Sequence, residues 1–377
     1  MHIAFLTPEY PHPDLNRSGG LGTSIKNLAA SLIQAGERVT VFVYSQTEDR
    51  EFEDQGIKIH SIAKRKYKLA GWYLHRKFLQ RYINKFILLE GINVLEAPDW
   101  TGITALMHFK CPLVIRLHGT DAYFCHLEQR TQKTKNRWFE QQALKSADHI
   151  LAVSAFTAKL TKAIFGLKNE IQVIPNSIDT ELFKPVQIPE VSNRILYYGS
   201  VIRKKGVLEL AEICNLVFKD NASARLILAG NDVKDVFTGR STQELFMEVV
   251  KSKFHNQIDF KGLLSYKAVQ EEITKASVVV LPSFAEALPM TWIEAMAMEK
   301  ALVTSNIGWA NEVMIDGETG YAVDPKDHQA YSDAILQLLD SETLSKRMGI
   351  NARKRVSEKF ATQVVVKQNL EFYKSLV

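Results

Sequence analysis

Two glutamates, Glu286 and Glu294, are separated by seven residues in the stretch Pro282-Ser283-Phe284-Ala285-Glu286-Ala287-Leu288-Pro289-Met290-Thr291-Trp292-Ile293-Glu294-Ala295-Met296-Ala297. The run Ser277-Val278-Val279-Val280-Leu281 before it has strand character and breaks at Pro282-Ser283. Pro289 marks a helix start, where a missing N–H costs little because that donor has no intrahelical partner. The segment therefore reads as strand, loop, helix, with Glu286 on the loop and Glu294 in the first turns of the helix. A helix N-terminus at the carboxyl end of a strand offers N–H donors and a positive dipole end to an anion. Two carboxylates beside such a site suit a ligand that carries both hydroxyls and phosphates, as a sugar nucleotide does.

Other segments sit at comparable places. Gly199-Ser200-Val201-Ile202-Arg203-Lys204-Lys205-Gly206 follows a strand and carries three consecutive cations. These are either a solvated loop or fixed charges for a departing diphosphate, whose transition state they would stabilise more than its ground state. Ser18-Gly19-Gly20-Leu21-Gly22 joins the first strand to the first helix, as a plain tight turn or as backbone N–H groups brought close to a ligand. Leu117-His118-Gly119-Thr120-Asp121 ends another strand. Glu96-Ala97-Pro98-Asp99-Trp100 offers carboxylates and an indole, a pairing suited to carbohydrate, or equally a capping turn. The glycine spacing does not match a nicotinamide fingerprint, and the ribose-binding acid expected after the second strand is missing.

Pro-Ser, Glu, seven residues and Glu-Ala-Met-Ala resemble the pattern of the retaining glycosyltransferases of family 4, over nearly the whole chain. The resemblance implies an α/β protein of GT-B fold, two doubly wound Rossmann-like domains facing a central cleft. It implies transfer of a sugar from a nucleoside diphosphate to an acceptor hydroxyl, with the departing phosphate taking the acceptor proton. Carried over residue by residue, Glu294 would accept from ribose hydroxyls and Glu286 would meet the donor sugar. Ala287, Leu288, Pro289 and Met290 would complete the donor site. Lys205, with Arg203, would hold the diphosphate, and Gly20 would line the phosphates. Leu263 would meet the base through backbone, and His118 would reach the reactive carbon. Ser200 stands where the family usually has arginine, which casts Arg203 as its replacement. Ala287 and Leu288-Pro289 replace a usual Gly-Phe-Gly and would add bulk beside the donor sugar, and Glu299 replaces a common glycine. Asn176 and Asp179 match a junction motif that reads as structural.

Composition is that of a globular α/β chain: 377 residues, 46% hydrophobic and 24% charged. That length implies two domains. The linker Pro185–Ser192 sets them at 1–187 (acceptor side) and 188–359 (nucleotide-sugar side), and the resemblance implies that a last helix, about 360–377, packs back on the first. Cys111, Cys125 and Cys214 show no ligand-like spacing, and no His/Cys cluster or Asp-x-Asp appears. No metal and no cofactor are therefore expected beyond the donor itself. Neither a signal peptide nor a membrane span is legible, which points to the cytoplasm. Residues 1–188 hold 24 Lys and Arg against 18 Asp and Glu, whereas 189–377 hold 23 against 24. From Gln55 to Leu89 there are nine basic residues and no acid, with Leu74, Phe78, Tyr82 and Phe86 at helical spacing. That basic 58–87 segment packs its apolar stripe on the first domain, makes peripheral contact with the inner face of a membrane, or does both, with the stripe docked and the Lys64-Arg65-Lys66-x-Lys68 loop touching headgroups. No nucleic-acid reader motif is present. The acceptor is then a glycan, lipid-linked or small-molecule hydroxyl, with an anionic or membrane-borne one favoured. The alternatives are a sugar-nucleotide isomerase of the same fold and a sugar-nucleotide-binding protein without turnover.

Overall fold

A computed structural model describes every residue except Arg17 and Asn169. The chain forms two compact units, Met1–Ser177 with Ala361–Val377, and Ile178–Phe360. The division thus falls ten residues before the expected 187/188 boundary. The segment anticipated as linker is tied to the second unit by hydrogen bonds: the Val191 N–H donates to the Lys275 carbonyl, Ser277 Oγ to the Val191 carbonyl and Lys300 Nζ to Glu190 Oε2.

The first unit is built on an eight-stranded sheet. Its strands are β1 (His2–Thr7), β2 (Arg38–Gln46), β3 (Arg50–Asp54), β4 (Ile57–Ala63), β5 (Val94–Pro98), β6 (Leu113–Leu117), β7 (His149–Ala152) and β8 (Gln172–Val173), in spatial order β3-β4-β2-β1-β5-β6-β7-β8. All neighbours are parallel except β3, which runs antiparallel to β4. Both faces are buried by the period-two alternation of strand side chains. Ala4, Leu6, Phe42 and Tyr44 face one apolar cluster, and Ile3, Phe5, Val41 and Val43 face the other. The helix Gly71–Glu90 buries Leu79, Ile83, Phe86 and Ile87 in the first cluster with Phe78 and Tyr82 packed against it, so most of its apolar stripe packs on the first unit while Leu74 is left exposed. The 58–87 segment is accordingly not one helix: β4 occupies its start and a loop divides strand from helix. The helix Thr362–Lys374 buries Val365, Phe372 and Tyr373 in the second cluster, against the first unit.

The second unit is a six-stranded parallel sheet of β9 (Arg194–Tyr198), β10 (Arg225–Ala229), β11 (Ile258–Gly262), β12 (Val278–Leu281), β13 (Leu302–Ser305) and β14 (Gly320–Val323), ordered β11-β10-β9-β12-β13-β14. The order of connection reverses between β9 and β12, which pair with Val278 opposite Ile195. In the first unit it reverses between β1 and β5. Ligands of open parallel sheets bind outside the carboxyl ends of strands at such switch points.

Candidate active site

In the second unit, the loops that leave β9 and β12 flank the switch point and are fastened to each other. The Phe284 N–H donates to the Lys204 carbonyl at 2.8 Å. Gly206, at φ +69°, lies so close to the second loop that an added Cβ would stand 2.0 Å from the Pro282 carbonyl oxygen. Only glycine fits both that conformation and that approach. The contact brings Lys205 Nζ to 3.2 Å from Glu286 Oε1, which also accepts from Ser283 Oγ at 3.0 Å. Pro289, at φ −75° and ψ 97°, sits one residue before the helix Met290–Ala297 as its N-cap and gives it no side-chain cap. Proline's extended conformation stops the helix there, so the helix begins at Met290, one residue later than the sequence suggests.

Glu294 lies on that helix, partly buried. Tyr266 Oη donates to Glu294 Oε1 at 3.3 Å. Burial pushes the carboxyl up to about 7, against the lowering pull of Tyr266, Lys205 and Tyr198. A carboxylate poised near neutrality among phenols and a lysine accepts hydroxyl donors well in its charged form. Leu263 follows β11 and is 66% exposed. Ala287 and Leu288 are both buried. Arg203 is not an unengaged replacement for the arginine missing at Ser200. Its Nε and Nη2 donate to the two oxygens of Asp235 at 2.6 and 3.0 Å, and this holds the Asp235 carboxyl down at about 2. Asp235 is fully buried in the fold and takes the Thr238 N–H and hydroxyl as well, so the guanidinium is anchored by a built site. Glu299 stands at φ +58°, the left-handed conformation that explains why a glycine suits that place.

In the first unit, the loops after β1, β5 and β6 carry the remaining candidates. Glu9, from the loop after β1, accepts the Gly22 N–H at 2.8 Å at the start of the helix Gly20–Gln34. Gly20 meets nothing within 4 Å of a built Cβ, whereas at Gly22 that atom would lie 2.1 Å from Ser18 Oγ and 3.0 Å from the Glu9 carbonyl oxygen. The glycine that packing requires is therefore Gly22, while Gly20 leaves room. His118 follows β6. Burial, with Arg116 adding to it, drives its imidazole down to about 3, so it is neutral at physiological pH. The Asp99 oxygens accept the backbone N–H groups of His118 and Gly119 at 3.0 and 3.1 Å, and burial raises that carboxyl to about 8. Asp121 is structural: its backbone N–H goes to Glu140 Oε1 at 2.8 Å and its carboxylate accepts from Asn136 at 3.1 Å.

Glu96 does not reach an acceptor. Arg116 Nε and Nη2 donate to its two oxygens at 2.7 and 3.0 Å, and Tyr373 Oη donates to Oε2 at 2.7 Å, all in the interior of the unit. Asn176 accepts from Ser24 Oγ at 2.8 Å, and Asp179 Oδ1 accepts the N–H groups of Glu181 and Leu182 in an Asx-type turn. Sequence reasoning missed Tyr266 and Tyr198 beside Glu294, Asp235 behind Arg203, and Glu9 and Asp99 behind the loops of the first unit. Only Asp99 carried a signal, its place at the end of β5.

Two family descriptions match the chain: Glycosyltransferase Family 4 over residues 18–182, and Glycosyl transferases group 1 over 178–355. An alpha-maltose-1-phosphate synthase of Mycolicibacterium smegmatis is 24% identical over 408 residues, covering 100% of both chains. A sucrose-phosphate synthase from Thermosynechococcus elongatus superposes with a TM-score of 0.80 at 19% identity, over 100% of this chain and 98% of that one. HepE of Anabaena, solved in complex with UDP, superposes with a TM-score of 0.76 at 17% identity, over 100% of both. The chain belongs to the group 1 and family 4 type of glycosyltransferases, with the GT-B fold. It is a glycosyl-transferring enzyme that takes its sugar from a nucleotide sugar.

Proposed function

We propose that this enzyme transfers the sugar of a nucleoside-diphosphate sugar to an acceptor hydroxyl with retention of configuration and without a metal. The observation that carries the reading is the Lys205–Glu286 pair beside the start of the Met290 helix, with Glu294 one turn further on, at the β9/β12 switch point. Lys205 and the helix start stabilise the diphosphate as the bond from the anomeric carbon to the phosphate oxygen breaks and its electron pair passes to that oxygen. The acceptor hydroxyl attacks from the same face and gives its proton to the departing phosphate. Glu294 receives the ribose hydroxyls, Glu286 the hydroxyls of the donor sugar, and Leu263 and Gly262 stand by the base. For His118 of the first unit, neutral and with its backbone N–H held by Asp99, and for Gly20, the roles toward donor sugar and phosphate remain those the family resemblance implies. HepE was solved with UDP, which makes uridine sugars the first donors to try. The positive balance of the first unit favours an anionic or lipid-linked acceptor.

The test is product analysis with UDP-glucose in the presence of chelator, with and without a panel of acceptor alcohols and lipid-linked glycans. Acceptor-dependent release of UDP with an α-linked product supports the reading. A changed sugar released without acceptor, inversion of configuration, or binding of every donor without turnover would each overturn it.

A further inference from the structure

Three of the five tryptophans, Trp72, Trp100 and Trp138, are 41–43% exposed, whereas Trp292 and Trp309 are fully buried. The fold sets two of these indoles against one buried ring, Phe139, on the helix Thr134–Ser146, with the turn that carries the third packed on the same helix. The Trp72 and Trp138 rings lie 5.2 and 5.1 Å from the Phe139 ring. The short turn Trp100–Gly102 packs on the same residue, since a Cβ on Gly102 would meet the Phe139 carbonyl oxygen at 2.3 Å. Arg76 ties the pieces together, its guanidinium 4.1 Å from the Phe139 ring and its Nη2 donating to the Gly102 carbonyl.

The surroundings of this patch are apolar and cationic. Tyr67, Leu69, Tyr73 and Leu74 are exposed beside Trp72, Leu69 by 82%. Two basic segments that lack acids converge here: the Gln55–Leu89 run with Lys64, Lys66 and Lys68 exposed, and Gln129–Phe139 with Lys133 and Lys135 exposed. Indoles partition to the boundary between headgroups and acyl chains, and lysines near an anionic leaflet are attracted to it. A glycan platform would use the indoles but has no need of an aliphatic Leu69 projecting among exposed lysines.

We infer that the first unit docks on an anionic lipid bilayer through this face, with Trp72, Trp138 and Leu69 entering the headgroup region and Lys64, Lys66, Lys68, Lys133 and Lys135 holding the lipid phosphates. The inference stands on surface residues of the first unit alone and does not depend on the donor assignments.

Intrinsic fluorescence reads the patch, because the other two indoles are buried. With vesicles of equal phosphatidylglycerol and phosphatidylcholine, the emission shifts to the blue and brominated lipid quenches it. Pure phosphatidylcholine gives neither effect. Apparent affinity falls about tenfold or more between roughly 50 and 300 mM NaCl, as the Debye length shortens. Trp72→Ser with Trp138→Ser, and separately Lys64→Ser, Lys66→Ser and Lys68→Ser together, each abolish co-sedimentation with the anionic vesicles, while calorimetric UDP binding stays at the parent value in both and the lysine variant keeps the parent thermal midpoint. Absence of binding to the anionic vesicles at low salt overturns the inference, as does undiminished binding by the triple lysine variant. Quenching by a soluble polysaccharide without any vesicle effect also overturns it and makes the face a glycan platform. Loss of UDP binding in the parent protein would instead count against the donor site.

Discussion

At the scale of single residues, two cations that look equivalent in the sequence have different standing. Lys205 is paired with Glu286, itself a proposed contact to the donor sugar, so on that proposal a bound diphosphate can share or take over the ammonium. Arg203 has two of its nitrogens committed to buried Asp235. Lys205→Ala is therefore expected to lower kcat/KM about 10²–10³-fold, the scale for one transition-state donor of about 3–4 kcal/mol. Arg203→Ala is expected to cost less. Steady-state kinetics on both variants checks this, and equal losses would show that Asp235 presents Arg203 to the phosphate rather than withholding it. Glu294 gives a pH dependence. Its folded pKa, about 7, lies above the ordinary carboxyl value, so the folded state favours the protonated form. Its contribution to stability is present at low pH and lost as pH rises through about 7. Ribose binding runs the other way, since the carboxylate is the better acceptor. UDP affinity is expected to weaken as pH falls through 7. Glu294→Gln is expected to flatten that profile while raising the thermal midpoint at pH 8 more than at pH 5. Calorimetry and thermal denaturation at the two pH values read both effects, and an unchanged profile in the variant would remove Glu294 from nucleotide binding.

At the scale of elements, the buried Glu96–Arg116 pair is what fastens the last helix, because Tyr373 and Asn369 on that helix both bond into it. Removing one member of a buried ion pair leaves an uncompensated charge. Glu96→Ala is thus expected to destabilise the first unit by about 3–5 kcal/mol, and Tyr373→Phe by about 1.5–3 kcal/mol, the cost of one lost bond to a charged group. Denaturant unfolding followed by protease nicking near residue 361 checks the pair of values. A neutral Glu96→Ala that weakened only acceptor binding would restore a ligand role for Glu96. For Glu96 a carbohydrate contact and a capping turn stay equally open in the sequence, because a strand-end carboxylate beside an indole looks the same whether it points out or in. Its partner Tyr373 lies 277 positions away, beyond any local pattern. The parallel strands were legible because both their faces are buried and their apolar runs are continuous. The β3–β4 hairpin was not, because Arg50-Glu51-Phe52-Glu53-Asp54 is a charged edge strand, the composition that keeps an edge from pairing with another chain, and it reads as loop.

At the scale of the whole molecule, the structure sharpens the charge asymmetry. With the last helix counted where it packs, the first unit holds 25 Lys and Arg against 17 Asp and Glu, and the second holds 22 against 25. The cations of the second unit are outnumbered by its acids, so on the proposed reading Lys205 and a helix start do there what net charge cannot, and a nucleotide should be felt locally. Short-range motifs at strand ends made this half legible in the sequence, since Lys205-Gly206 and Glu286 to Glu294 each lie within one loop and helix. The groups that tune them, Tyr266, Tyr198 and Asp235, come from other elements and left no trace. Bound UDP at a hundredfold excess over its Kd stabilises the form that binds it by about 2.7 kcal/mol through mass action. Amide hydrogen exchange should resolve where that stabilisation falls. Slowed exchange is expected at 199–206, 260–266 and 282–294 of the second unit, with the Ile25–Leu32 helix interior of the first unit unchanged. Protection confined to the first unit would show that the nucleotide is held by the Gly20 and His118 loops instead, and the roles of Lys205 and Glu294 would then fall together.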